Sequence, residues 1–288
     1  MELSQSKINV TTHYDEYIKK TKYGKIKTKA FNLSNIIINI TIISLILLTV
    51  YGFISFDYKD LNLFNAIYET FTNIKTMFLS PSISHFTLTD ALYQVLITIG
   101  LAFLTTLFGS IIAIILGLFA AKNLSSERVS NSIKGFVAFV RAVPTVLWVL
   151  IFAVAAGLGS VAAVIGMTFH TIGYLIKAYS ESFEEIDEGV IEALKASGAN
   201  WWQIIFQAVL PSSLTYILSW TFMRFEINFT NAVAMGAAAG AGGIGFELFM
   251  ASGFYFNVHE VGFITYLILA FAMILEISST RLKNNYIA

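Results

Sequence analysis

The sequence predicts an all-α polytopic membrane protein of about six transmembrane helices, and three observations carry that prediction. Of its 288 residues, 56% are hydrophobic and 12% charged, with a mean hydropathy of +0.71. An average globular domain carries about 25% charged residues, so a soluble globular enzyme is excluded. Six continuous apolar stretches are each long enough to cross a bilayer core of about 30 Å, which takes roughly 20 helical residues. Barrel strands are shorter and alternate, so a β-barrel is excluded. Lys and Arg are sorted to one side of those stretches. Cysteine is absent, which rules out disulfides, thiolate zinc, iron–sulfur clusters and a cysteine nucleophile. The 18 Lys+Arg balance 18 Asp+Glu, leaving no basic footprint for nucleic acid.

Residues 1–33 form a polar tail with Lys7, Lys19, Lys20, Lys22, Lys25, Lys27 and Lys29, a topogenic segment suited to anionic lipid. The first span, 34–54, follows this tail, exceeds the apolar core of a signal peptide and lacks a cleavage site, so it is read as retained. In the loop 55–90, Phe64, Ile67, Phe71, Ile74 and Phe78 make one helical stripe, an interfacial amphipathic helix ended by Pro81. The remaining spans, 91–121, 133–156, 161–180, 212–235 and 262–282, form a core domain at 91–283, with 284–288 as a C-terminal tail. Fourteen Lys and Arg lie on one side, against Lys59 and Lys75 on the other, which predicts cytoplasmic termini.

Residues 181–211 are too long for a simple turn, and they are patterned. Glu181, Glu184, Glu185, Asp187, Glu188 and Glu192 open the segment, which stays helical through Ile191, Leu194 and Lys195 to Gly198. Asn200 then caps a second apolar piece containing Trp201, Trp202, Ile204, Ile205, Phe206 and Val209. Leu210-Pro211 leads into the next span, with proline suited to its first turn. The expectation is helix, glycine turn, helix along the membrane, with both tryptophans exposed in a charged rim as at binding surfaces.

Glu192-Ala193-Leu194, Gly198 and Leu210-Pro211 resemble the EAA loop of ABC-importer permeases. Leu194 replaces that loop's second alanine and Ala208 its usual isoleucine, both apolar exchanges. Further segments are similar to the phosphonate-importer branch: Arg141 to Thr145, Gly157-Leu158-Gly159, His170-Thr171, Glu185-Ile186-Asp187 and Arg224-Phe225-Glu226-Ile227-Asn228. Gly240-Ala241-Gly242-Gly243-Ile244-Gly245 is shared with methionine-type permeases. The resemblance implies a type I importer permease fold in a bacterial cytoplasmic membrane. It also implies a coupling helix within 182–208, with Glu192, Ala193, Gly198, Trp201, Trp202, Leu210 and Pro211 serving ATPase coupling. Partners implied are a second copy, two ABC ATPase subunits and an extracytoplasmic binding protein. No P-loop occurs in the chain, so ATP and Mg belong to the ATPase and no cofactor is expected here. Thr230 stands where the branch often carries arginine, which keeps a methionine-like or thiamine-type substrate open beside a phosphorus oxyanion. An ATPase-independent secondary transporter predicts inverted repeats that are not evident, and leaves the EAA loop unexplained.

Ionisable groups within spans are functional candidates because they are costly there. Arg224 and Asn228 share one face, with Glu226 about 200° away. Arg141, beside the kinking Pro144, is one interhelical candidate for Glu226. Two readings stand: a polar lining to a translocation path, or an ion pair joining helices with Arg141 snorkelling to the interface. His170, one turn from Tyr174, reads first as a packing residue and second as part of the path. No HExxH or carboxylate–histidine pairing supports a metal site. Gly240–Gly245 satisfies GxGxxG, with Glu260 in the acidic position, but no strand precedes it. Gly240, Gly242 and Gly243 are instead expected to permit irregular backbone in an outer gate. Glu276 is expected to pair with Arg281 or another helix.

Overall fold

The computed structural model describes residues 33–56 and 62–287, with side chains to Arg281. The lysines of the basic tail, Lys59 and the side chain of Lys283 lie outside the described residues. All regular structure among the described residues is helical. Contacts divide the chain into residues 1–66 and 67–288, each taken here by itself.

In the first unit, α1 (Leu33–Ser55) is apolar on every face and has no buried residue, as a lipid-facing helix requires. Thr41 and Thr49 hide their hydroxyls by donating to Ile37 O and Leu45 O, at 2.9 and 2.8 Å. The amphipathic helix of the loop is α2 (Leu63–Leu79). It crosses the division between the units, and within the second unit Tyr266 Oη donates to Phe78 O at 2.8 Å.

The second unit is built round α6 (Ser160–Glu184), against which α3 (Leu88–Ala120), α4 (Glu127–Ala142), α5 (Thr145–Ala156) and α9 (Leu210–Ala239) pack. Between helices in lipid there is little hydrophobic drive, so association depends on close backbone approach at small residues. A Cβ at Gly166 would lie 2.5 Å from the Val149 backbone, and one at Gly173 would lie 3.0 Å from the Val140 side chain. On α3, Gly109 admits Thr171 and Gly117 admits Tyr179 in the same way. Met167, Leu175, Ile176, Tyr179 and Phe183 fill the remaining space, all fully buried.

The stretch expected as one span at 133–156 is instead α4 and α5, bent by 90° at Val143–Pro144. Proline has no N–H to continue the ladder and forces its predecessor out of the helical region. Val143 is accordingly extended, at φ −91° and ψ 124°. Five described helices are long and apolar enough to cross a membrane, or six if this bent pair is one span. The expected C-terminal tail also differs: α11 (Val258–Ile287) continues through residue 287.

Loop 181–211 is a helical hairpin. Asp187 caps α7 (Glu188–Ala196) by accepting from Gly189 N–H at 2.8 Å. Gly198 makes the turn at φ 88°, and an Asn200–Gln203 capping box starts α8 (Trp201–Ile204). The expected break before the next span is absent. One π-turn (Ile205–Val209) joins α8 to α9, making a 39-residue rod from Trp201 to Ala239. Pro211 cannot donate, and just before it Leu210 N–H reaches back to Ile205 O, so the ladder widens where proline enters.

α9 ends at Gly240, and the chain returns as α10 (Ile244–Phe249), prolonged by a π-turn (Met250–Phe254). This returning helix is too short to register as a span, which is why the apolar runs did not reveal it. Glycine permits the crossing with α9. A Cβ at Gly236 would lie 2.7 Å from Gly242 O, and one at Gly245 would overlap Val233 O. Gly245→Ala is therefore expected to lower the thermal midpoint in detergent, on the order of the 1–3 kcal/mol of an overpacked contact. Gly100→Ala, with nothing within 4 Å of its Cβ, should hold or raise the midpoint. Equal midpoints would contradict the crossing.

Candidate functional site

Three helices place polar side chains at one level of the bundle. Arg224 and Asn228 project one turn apart from α9, 2% and 0% exposed. Asn228 Nδ2 donates to Thr106 Oγ1 of α3 at 2.9 Å, and Thr106 donates to Ala102 O at 2.7 Å. Thr171 Oγ1 of α6 donates to Asn228 Oδ1 at 3.1 Å and accepts from Arg224 Nε at 3.2 Å. The guanidinium carbon stands 5.0 Å over the Tyr174 ring, a cation–π arrangement.

This network is neutral apart from the arginine, and it does not satisfy it. Arg224 Nη2 is buried without a hydrogen-bond partner, as is His170 Nδ1. Arg141 and Arg224 both act electrostatically on His170, and Arg141 acts on Arg224. No carboxylate pairs with Arg224 among the described residues. The result is a buried guanidinium held by neutral partners, with one nitrogen left without a hydrogen-bond partner.

Arg141 and Glu226 do not come together. Arg141 sits at the end of α4 in a cavity with Lys134, Lys177, Glu181 and Glu184. Glu226 lines a separate cavity of about 190 Å³ with Thr230 and with Leu275 and Glu276 of α11. The expected pairings of Glu226 with Arg141 and of Glu276 with Arg281 are not formed among the described residues. The reason is angular: Glu226 is on the α11 side of α9, opposite Arg224. Pro144 marks the 90° bend.

At the hairpin end the two tryptophans separate. Trp202 is 58% exposed and stacks on Phe206. Trp201, expected to be exposed, turns inward, donates from Nε1 to Leu124 O at 2.8 Å and stacks on Phe119. It anchors the hairpin to the α3–α4 loop. Glu192, Ala193, Gly198 and Pro211 are exposed, and Leu210 is half-buried.

At the opposite end the glycine loop is held by side chains that the sequence reading passed over. Gly243 N–H donates to Gln94 Oε1 at 3.1 Å, and Ile244 N–H to Thr98 Oγ1 at 3.0 Å. Ser160 Oγ donates to Ala241 O at 2.6 Å. Gly240, Gly242 and Gly243 all take positive φ. Glu260 is fully buried and accepts from the N–H groups of Ser84 and His85, at 3.1 and 2.8 Å, while meeting His85 Nδ1 at 2.6 Å. Gln94 and Thr98, four apart on an apolar span, were a visible signal; Glu260 had none, since its donors lie 175 residues away. Burial, with the carboxylates of Glu260 and Asp90, holds Glu247 of α10 above the usual carboxylate range.

Residues 113–286 match the family described as binding-protein-dependent transport system inner membrane component. The chain belongs to that family. It is 33% identical over 153 residues to a phosphate-import permease protein of Mycolicibacterium smegmatis, a match that covers 53% of this chain and 29% of that one. It is 30% identical over 190 residues to a phosphite transport system permease protein of Stutzerimonas stutzeri, covering 66% and 68%. A probable D-methionine transport permease of Pasteurella multocida is 26% identical over 190 residues, covering 62% and 87%. The fold is that of a chain in inward-facing crystal structures of the MetNI methionine ABC transporter, with TM-score 0.63 and 20% identity over 70% of this chain and 99% of that one. The matched family region contains Arg141 through Gly243 and the whole hairpin, but not α1 or Thr106.

Because Arg224 has no acidic partner among the described residues, Arg224→Met is expected to leave the thermal midpoint unchanged or raised. Breaking a buried ion pair instead costs about 3–5 kcal/mol. A fall of that size would restore the reading in which Arg224 joins helices.

Proposed function

We propose that this chain is the membrane-spanning subunit of an ABC importer for a phosphonate or a related small phosphorus oxyanion. The observation that carries the reading is the buried Arg224 guanidinium, with one nitrogen unpartnered and no carboxylate paired to it among the described residues. A buried positive potential of this kind is completed by an anion. The relatives named for phosphate and phosphite support the same class. Thr230, where the phosphonate branch often has arginine, lines the Glu226 cavity and donates to Glu226 O. A cation missing there subtracts nothing from Arg224. At the Arg224 cluster a methionine-like or thiamine-type cation would meet no carboxylate, and the Tyr174 face there is already covered by Arg224.

On this reading the termini and the hairpin face the cytoplasm, following the sorted basic residues. Glu192, Ala193, Gly198 and Trp202 meet a partner ATPase, Trp201 and Leu210 seat the hairpin on the spans, and Pro211 opens the span that carries the motion. Two copies of the chain, two ATPase subunits with ATP and Mg, and an extracytoplasmic binding protein complete the machine. ATP binding draws the two hairpins together and opens the path outward past Gly240, Gly242 and Gly243, and hydrolysis resets it.

In proteoliposomes of the complete transporter, phosphonate or phosphite uptake is expected, with methionine and thiamine failing to compete. Arg224→Gln should lower that uptake about tenfold or more, the scale of a charge-assisted hydrogen bond, at unchanged membrane abundance. Methionine uptake, or full activity in the variant, would overturn the oxyanion assignment. The coupling role has its own test. Gly198 has φ 88° and open space around it, so Gly198→Val strains the turn without a clash. ATP-driven uptake should be lost while insertion is normal; retained uptake would remove the hairpin from coupling.

A further inference from the structure

We propose a second oxyanion site in the cavity between α4 and α6, on the hairpin side of the Arg224 cluster. This rests on the oxyanion reading and extends it. The cavity, of about 270 Å³, is lined by Lys134, Ala138 and Arg141 of α4 and by Lys177, Ser180, Glu181 and Glu184 of α6, among others. That volume lies below the roughly 300 Å³ at which drug-sized ligand pockets begin, and suits a small oxyanion.

Three cations here face two carboxylates, and the pairing is unequal. Lys134 Nζ is 2.7 Å from Glu184 Oε1, which also accepts Lys122 N–H at 2.8 Å. Lys177 is held loosely, 3.6 Å from Glu181 Oε1, and both side chains are more than half exposed. Arg141 has no ion pair among the described residues. A guanidinium that can meet two oxygens at once and a loosely held ammonium therefore share one cavity, with Glu181 as a displaceable counter-charge.

Its position makes the cavity an exit station. Along α6 the lining residues Lys177, Glu181 and Glu184 follow Thr171, the partner of Arg224, toward the hairpin, so the cavity lies on the hairpin side of that cluster. Glu184 is the last residue of α6, three before the Asp187 cap of α7, so displacement of the hairpin bears directly on the Lys134–Glu184 contact at the cavity.

The test is inorganic phosphate binding to the full-length protein in nanodiscs, followed by phosphorus NMR, in the wild type and in Arg224→Gln. Phosphate should still bind in Arg224→Gln. In the Arg224→Gln background, where only the second site remains, Lys177→Gln should weaken binding about tenfold, and Lys177→Arg should restore it. Glu181→Gln should tighten binding by removing the competing carboxylate, an effect that a merely structural role would not produce. Thermal midpoints should be unchanged, since both side chains are exposed. Unchanged affinity in Lys177→Gln on that background, or unchanged or weakened binding in Glu181→Gln, overturns this site. If Arg224→Gln abolishes phosphate binding, the oxyanion reading stands and the second site falls. If no protein binds phosphate, phosphite or methylphosphonate, both fall. Affinity should be equal in anionic and zwitterionic lipid; binding lost in anionic lipid would identify a headgroup as occupant and overturn the proposal.

Discussion

The uncompensated charge of Arg224 is the constraint from which the centre of this molecule is organised. On insertion scales an arginine at mid-span costs at least about 2.5–3.5 kcal/mol. The fold limits that cost without cancelling it. Tyr174 offers a ring face, Thr171 accepts one N–H, Asn228 orients Thr171, and Thr106 orients Asn228 before the chain of hydrogen bonds ends on a helix carbonyl. Each link is neutral, so the positive charge is positioned but not neutralised. The geometry depends in turn on Gly109, because a Cβ there would lie 2.5 Å from Thr171 Cγ2 and push α6 away from α3.

Glu260 supplies the contrast. It is as deeply buried as Arg224, yet its two oxygens collect two backbone N–H groups and a histidine nitrogen, and the His85 ring is further fixed by stacking on Tyr255 at 3.9 Å. A buried charge with its hydrogen bonds complete ties elements together, here the segment before α3 to the start of α11. A buried charge left with an open donor does not close its own accounts in this way. The two groups are separated by satisfaction, not by burial: Glu260 has its hydrogen bonds complete, and Arg224 keeps one open donor.

The parts legible in the sequence were those with local causes. Apolar runs located the spans, Gly198 and Asn200 located the hairpin turn and cap, and the stripe from Phe64 to Phe78 located α2. Helical spacing also separated Glu226 from the Arg224–Asn228 face. What escaped was set by tertiary geometry. The 90° bend was foreshadowed by Pro144 only as a kink, because the angle depends on how α5 packs on Gly166. The α10 return is too short for a hydropathy signal, and its backbone is held by Gln94 and Thr98 from a distant helix. Trp201 and Trp202 look equivalent in sequence, yet neighbours on a helix face different directions, so one anchors and one is exposed.

The rod from Trp201 to Ala239 joins these regions mechanically. It begins at the exposed hairpin, carries Arg224 and Asn228 at its middle and ends on the Gly240 loop, with no flexible connection between them. From Leu210 to Arg224 is about 21 Å of helix at 1.5 Å per residue. A displacement at Trp202 therefore reaches the cluster as a rigid movement unless the rod yields. The place built to yield is the π-turn at Ile205–Val209, next to Pro211, where the ladder is already widened. Ile205, Ala208 and Val209 are buried there against the α6 core, which resists sideways bending. On the proposed reading, force on the hairpin is thus resolved mainly along the rod, shifting Arg224 relative to Thr171 and Thr106, and the hydrogen-bonded links of the neutral network are the contacts that must exchange when the path changes state.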